Sequence, residues 1–325
     1  MSENNQSKVT APSITRRAGG ETVCSIGFFD GVHRGHKYLV RQVLDEARER
    51  GARSLLVTFD RHPRSLFAPA TAPQLLTSHA EKMELLRQTG VDDVCVLDFN
   101  HTLAALTARD FMVEVLQQMG VTTLVIGYDH HFGRPQGETF EDYAAYGREL
   151  GIDVVQAREL EGGHVSSSAI RRALSEGRVE LAAELLGRPY TWAGRVVHGY
   201  GIGRRLGFPT ANLEADEPQK MLPGSGAYAV HAEDLGSNDT SSAISHPTRK
   251  PGMLNIGCRP TLGNGSDVSV EVHLFDTHAD LYGHRLRLTF AAHLRSEQRF
   301  TDEQALANQL AHDAEAAREI LSAQK

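Results

Sequence analysis

Cysteine is scarce in this chain of 325 residues: three are present, and none forms a CxxC pair. That excludes a disulfide framework and a cysteine zinc site, and leaves Cys24, Cys95 and Cys258 to read as buried free thiols. Positive charge is not in excess either. The formal net charge is -7, so nothing electrostatic recommends a DNA or RNA partner, and an anionic ligand must be gripped by a local site. No apolar run is long enough to span a membrane. The N-terminal MSENNQSKVTAPS lacks the apolar core of a signal peptide, so a cytoplasmic chain without a membrane partner is expected. Internal repeats are missing, and so is the glycine-rich loop with lysine of a P-loop. What remains, 40% hydrophobic and 23% charged, is an ordinary globular composition, in a chain long enough for two cores.

The two halves have different rhythms. Residues 22–28, 54–59, 94–99, 123–128 and 153–157 read as strands, alternating with helices at 36–50, 80–89, 108–119 and 140–150. In the first helix Leu39, Val40, Val43, Leu44 and Ala47 share a face. Such alternation predicts an α/β domain whose parallel sheet is covered on both faces, with ligands at the carboxyl ends of its strands. Two short helices follow at 168–176 and 179–186, and Gly187-Arg188-Pro189 then breaks the pattern. Beyond it, short strands at 190–198, 227–232, 253–256, 268–275 and 285–290 precede a single helix at 301–323. This half predicts a small antiparallel barrel with a C-terminal helix. The expected layout is a flexible segment at 1–21, one domain at 22–187 and another at 188–325, with a flexible insertion at 233–252.

Three motifs carry chemistry. GFFDGVHRGH (27–36) joins a strand to a helix through a tight turn. A helix start offers unpaired N–H groups to anions, Gly31 and Gly35 let backbone approach a ligand, and His33 and His36 can share one face and donate to phosphate. A solvated histidine pair or half of a metal site is the plainer alternative, and the strand–turn–helix context favours phosphate. VSSSAIRR (165–172) opens another helix. One serine there is ordinarily a cap; three with Arg171 and Arg172 make an anion grip. GYGIGRRLGFPTAN (199–212) supplies glycines that can wrap phosphates, Arg204 and Arg205 to counter charge, and neutral oxygens on Thr210 and Asn212 suited to Mg²⁺ with ATP. Farther on, alternation in SVEVHL puts Glu271 and His273 opposite Val270, Val272 and Leu274. An exposed glutamate is its ordinary reading, and a general base its functional one.

Taken in order, GFFDGVHRGH, TFDRHP, IGYDHHFGR, VSSSAIR, GRRLGFPTAN, NIGCRPT, VEVHLFD and LYG resemble the bacterial bifunctional riboflavin kinase/FAD synthetase family, from about Val23 to near the C-terminus. The resemblance implies a Rossmann-like nucleotidyltransferase domain followed by a six-stranded riboflavin kinase barrel. It implies two reactions requiring Mg²⁺: ATP phosphorylates riboflavin to FMN, and a second ATP adenylylates FMN to FAD with release of pyrophosphate. By motif, Thr210 and Asn212 hold Mg²⁺ with ATP, and Glu271 becomes the kinase base. His33 and His36 contact ATP phosphates in the adenylyltransferase, with Ser167, Ser168 and Arg171 completing the grip. Gly27, Phe28, Asp30, Gly31, Gly35, Phe59, His62, Asp129 and Phe132 are implied to line that site. Gly199, Gly201, Gly203, Arg204, Pro209, Asn255, Arg259 and Arg295 are implied contacts for ATP or flavin in the kinase.

The sequence departs from the common family pattern at a few positions. Ser168 replaces a threonine and keeps the hydroxyl, Ala227 replaces a valine, and His130-His131 replaces the usual DFxF wording. His164 stands where arginine is frequent, which predicts weaker or pH-sensitive ATP binding. The alternative reading is a chain that keeps one activity and uses its other half as a flavin- or nucleotide-binding module.

Overall fold

A computed structural model describes residues 20–127, 132–134, 137–161, 163, 165–199, 202–237, 249–260, 266–277 and 279–323, with backbone alone at 202, 258–260 and 266–267. The flexible segment expected at 1–21 lies outside the described residues apart from its last two. Contacts divide the chain into two compact units, Met1–Ser166 and Ser167–Lys325.

The first unit runs β1 (Thr22–Ile26), α1 (Arg34–Arg50), β2 (Arg53–Phe59), α2 (Pro63–Phe67), α3 (His79–Arg87), β3 (Asp93–Leu97), α4 (His101–Ala105), α5 (Ala108–Phe111), β4 (Thr123–Ile126), α6 (Phe140–Leu150) and β5 (Asp153–Gln156). The strands pair in parallel in the order β3-β2-β1-β4-β5, as the βα alternation predicts. Strands covered on both faces must be apolar on both. Cys24, Ile26, Leu55 and Val57 meet a core with Phe111, Met112 and Leu116, while Val23 packs with Val43 and Ala47 of α1 and Leu56 with Val40. Burial pushes the Cys24 and Cys95 thiols up, Cys95 to about 11, so both stay protonated packing groups. One expectation changes here. The helix expected at 108–119 is an α-helical turn that widens into a π-helical segment, Met112–Leu116, whose Met112, Val115 and Leu116 are all buried.

The second unit begins with α7 (Ser167–Ser175) and α8 (Val179–Leu186) and continues through β6 (Thr191–Val197), α9 (Ile202–Arg205), β7 (Ala211–Ala215), β8 (Gly226–Asp234), β9 (Arg249–Pro260), β10 (Ser266–Leu274), β11 (Arg285–Ser296) and α10 (Glu303–Ala323). Its six strands close into a barrel in the order β10-β7-β6-β11-β8-β9, which leaves no free edge. Tyr228, Val230, Leu254, Ile256, Val270, Val272, Leu288 and Phe290 are buried, on alternate positions of their strands. The opposite parity of β8 and β9 packs Ala229 and Met253 against Ala317 and Leu321 of α10. Two elements were not separately legible in the glycine-rich segment: the single turn α9 and the strand β7. β8 and β9 also extend into the expected insertion, of which 238–248 lies outside the described residues.

The division into compact units falls before α7, and the break expected at Gly187-Arg188-Pro189 follows α8. Hydrogen bonds tie these two helices to the barrel. The Gly224 N–H donates to the Leu174 carbonyl at 2.9 Å, and the His293 N–H donates to the Glu180 carboxylate at 2.9 Å. The α7–α8 pair thus satisfies backbone donors of the barrel. A fragment of residues 188–325 is expected to melt about 5–10 °C below one of residues 167–325, because those donors lose partners. Circular dichroism melting checks this; equal midpoints would show that the two helices contribute nothing to the barrel.

Candidate active sites

In the first unit the direction of strand progression reverses between β1 and β4, and ligands bind at the carboxyl ends of strands at such a point. The turn after β1 is therefore the candidate site. Its backbone is unusual: Phe29 (φ 54°) and Val32 (φ 39°) lie in the left-handed region with Gly31 (φ 81°). A β-branched residue there is strained, at about 1–3 kcal/mol, and persists only where its surroundings impose it.

Those surroundings are visible. The Asp30 carboxylate, buried, accepts from the Leu76 N–H at 3.0 and 3.1 Å, the Thr77 N–H at 3.2 Å and the Thr77 hydroxyl at 3.2 Å. The Gly31 N–H donates to the Thr77 hydroxyl oxygen at 3.2 Å. Asp30, expected as a ligand contact, thus has its carboxylate engaged with residues 76–77.

His33 is the N-cap of α1, and its Nδ1 accepts from the His36 N–H at 3.3 Å. That bond places the proton of a neutral His33 on Nε2, which becomes a donor. The His33 and His36 rings stack with centroids 3.6 Å apart. His62 caps α2 through Nδ1, and its ring meets Phe28 edge-on at 4.9 Å. Phe59 is buried against Phe99, and Phe132 is stacked on Tyr143 within the core. A β-carbon at Gly35 would press on the His33 ring and the Val165 carbonyl, whereas one at Gly27 would meet the Phe29 ring. Asp129, His130, His131 and His164 lie outside the described residues. Ser167, Ser168 and Arg171 open α7, the first helix of the second unit.

In the second unit, strand register assembles a site. β10 pairs with β7 so that Glu271 faces Asn212, and with β9 so that Glu271 faces Asn255. β9 in turn sets Asn255 beside Ala227 on β8, and β11 sets Arg295 beside Ala227. Asn212, Glu271, Asn255, Ala227 and Arg295 form one row across neighbouring strands, and directly opposed residues share a face. The Thr210 hydroxyl donates to Glu271 Oε2 at 3.2 Å. A β-carbon at Gly199 would run into the Asn212 amide and push it out of its place in the row. Arg295 makes a two-pronged ion pair with Asp313 of α10, Nη2 to Oδ2 at 2.8 Å and Nε to Oδ1 at 3.1 Å, with both side chains largely buried. The β7 end of the row adjoins a cavity of about 440 Å³ lined by Val196, Arg204, Pro209, Thr210, Leu281 and Tyr282, among others. The Pro209 carbonyl accepts from His273 Nδ1 at 2.8 Å. Gly201 and the Arg259 side chain lie outside what is described.

The sequence reading missed Thr77, Lys82 and Tyr282. Tyr282 sits in the LYG signature and stacks on His198 at 4.0 Å. Thr77 and Lys82 are ordinary for a helix start and a helix face, and no local signal marks them.

Among the described residues no three His, Cys, Asp or Glu side chains group to hold a metal ion, and no helix is long and apolar enough to cross a membrane. Comparison with known proteins agrees with the two-part design. Residues 15–169 match the FAD synthetase family and residues 186–321 the riboflavin kinase family. Proteins named bifunctional riboflavin kinase/FMN adenylyltransferase are similar over nearly the whole length. The one from Escherichia coli K12 is 38% identical over 93% of this chain and 94% of its own. That from Pseudomonas fluorescens is 38% identical over 92% of both, and that from Bacillus subtilis 168 is 32% identical over 94% of both. A crystal structure from Streptococcus pneumoniae, described as a macrolide-efflux protein, superposes with a TM-score of 0.80 at 30% identity over 97% of each chain.

Proposed function

The chain belongs to the bifunctional riboflavin kinase/FMN adenylyltransferase family, and on that premise we propose how its residues divide two successive reactions. The protein phosphorylates riboflavin to FMN and adenylylates FMN to FAD. ATP and flavins are its substrates.

The observation that carries the kinase assignment is the row Asn212, Glu271, Asn255 with the Thr210 hydroxyl on Glu271. Glu271 accepts the proton of the riboflavin 5′-hydroxyl as that oxygen attacks the γ-phosphorus and ADP leaves. Thr210 orients the carboxylate and keeps lone pairs on its own oxygen. Thr210 and Asn212 offer hard, neutral oxygens a short step from the carboxylate, a donor set that fits Mg²⁺ completed by phosphate oxygens. Bound Mg²⁺ supplies charge neutralisation at the phosphates. Arg204 and Pro209, on the cavity wall, are the contacts for the rest of the nucleotide. Arg295 acts through its pairing with Asp313, which fixes the far end of the row.

In the first unit, an FMN phosphate oxygen bonds to the α-phosphorus of ATP as the bond to pyrophosphate breaks. His33 Nε2, held as a donor by its Nδ1 cap, and His36 stabilise the charge on the phosphates. Phe28, Phe59 and His62 form the aromatic wall, Gly27, Gly31 and Gly35 let backbone approach, and Phe132 backs the wall from the core. By motif alone, Ser167, Ser168 and Arg171 are further phosphate contacts for this reaction.

The test is a time course of the pure full chain with riboflavin, ATP and Mg²⁺, read by product chromatography. FMN should rise first and FAD follow, and EDTA should stop both. FMN that never proceeds to FAD, or FAD formed only from added FMN, would instead establish the single-activity alternative.

A further inference from the structure

Lys82 on α3 is 3% exposed, although an ammonium is among the costliest groups to bury. The ammonium contacts lie at and just beyond the carboxyl ends of β1 and β2. Nζ donates to the Phe59 carbonyl at 2.8 Å, the Phe28 carbonyl at 3.2 Å and the Thr58 hydroxyl oxygen at 3.3 Å, one acceptor for each N–H. It also lies 4.2 Å from the centre of the Phe28 ring, the ring that His62 meets edge-on. The Thr58 hydroxyl itself donates to the Phe28 carbonyl at 3.1 Å. Just upstream, residues 76–77 hold Asp30 and Gly31, and a Ser78–Glu81 capping box fixes the start of α3. One segment, 76–82, therefore holds the strained turn at its entry, Phe28, and within it, at Asp30 and Gly31, just ahead of His33 and His36.

We propose that Lys82 is a positioning residue for adenylyl transfer: it ties the ends of β1 and β2 together and holds the Phe28 wall and the following histidine turn in catalytic register. This rests on the assignment of that turn as the adenylyl-transfer site. A fold-only requirement at this position would be met by an apolar side chain without the cost of burying charge. The groups that need an ammonium here are strand-end carbonyls and an aromatic face at the mouth of the site.

The charge on Lys82 is titratable. Burial lowers its pKa to about 8, partly opposed by Asp30 from the β1–α1 turn and Asp60 from the β2–α2 turn. Among the described residues, His62 is a further titratable group at the Phe28 ring. Between about 8 and the ordinary 10.5 the unfolded chain binds more protons at this lysine than the folded one, so its linkage raises stability as pH rises. In the same window the clamp loses a donor and its cation–π contact. Adenylyl transfer should therefore decline above about pH 8 while stability does not, opposite to a purely structural role.

The experiment compares the full chain with Lys82→Met, Lys82→Arg and His36→Ala. FAD formation from FMN is followed over pH, FMN formation from riboflavin in parallel, and each fold by thermal melting. Lys82→Met should lower kcat for FAD formation about 10–100-fold with little change in KM, leaving FMN formation unaltered. Lys82→Arg, which keeps its charge at every pH used, should retain activity and lose the alkaline decline. Parental kcat in Lys82→Met, or an unchanged alkaline decline in Lys82→Arg, would overturn the proposal. If Lys82→Met fails to fold, the pH profile of Lys82→Arg decides alone. Parental FAD formation in His36→Ala would sink the site assignment itself, whereas a loss there beside a fully active Lys82→Met sinks only the role of Lys82.

Discussion

Glu271→Gln is expected to lower FMN formation by about 10²–10⁴-fold, the usual contribution of a general base, while FAD formation from supplied FMN stays at the parental rate. Glutamine is isosteric, and its amide oxygen still accepts from the Thr210 hydroxyl, so the row with Asn212 and Asn255 should survive. What it cannot do is take a proton. The loss should therefore appear in kcat, with KM for ATP little changed, because the cavity walls around Arg204 and Pro209 are untouched. The position is only partly buried and on the outer face of the barrel, so the melting midpoint should barely move. Undiminished FMN production would remove Glu271 as the base. A loss confined to KM would instead make it a binding group.

His36→Ala should have the converse effect. FAD formation is expected to fall by about 10²–10³-fold, the range for removing one donor to developing negative charge, so that FMN accumulates from riboflavin and ATP. His33 needs a subtler variant, because it caps α1 as well as facing the site. His33→Ala would lose a cap worth about 0.5–2 kcal/mol together with the phosphate donor. His33→Asn keeps a good cap and removes the imidazole, so a drop in FAD formation without a drop in melting temperature isolates the chemistry. Normal FAD turnover in either His36→Ala or His33→Asn would dismiss that histidine from the reaction.

Much of this protein was legible in its sequence because the relevant signals are local. Apolar spacing of 3.6 and 2 residues located α1, α6 and every strand except β7, because each element must bury one face or both, although β9 and β11 run well past the stretches that the spacing marks. Alternation around Glu271 placed it opposite Val270 and Val272, and those two are indeed buried. Where local signals ran together, the reading blurred. Turn residues around α9 and β7 masked both elements. The apolar run after Ala108 does not distinguish an α-helix from the π-helical turn that follows it. Hydrogen bonds from Gly224 and His293 attach the helices before the Gly-Arg-Pro break to the barrel, a long-range link that no local signal marks.

The sequence by itself determined the two-part architecture, the family and the motifs proposed to bind phosphate. These depend on neighbours within a turn or two, where composition and spacing act directly. The tertiary structure alone decided which distant residues meet. Barrel closure sets the register that aligns Asn212, Glu271 and Asn255, because a one-residue slip would turn every side chain to the other face. The parallel sheet and α3 bring Lys82 and Thr77 to a turn dozens of residues earlier in the chain. Its strained backbone is kept by those contacts, and no short stretch of sequence could announce them.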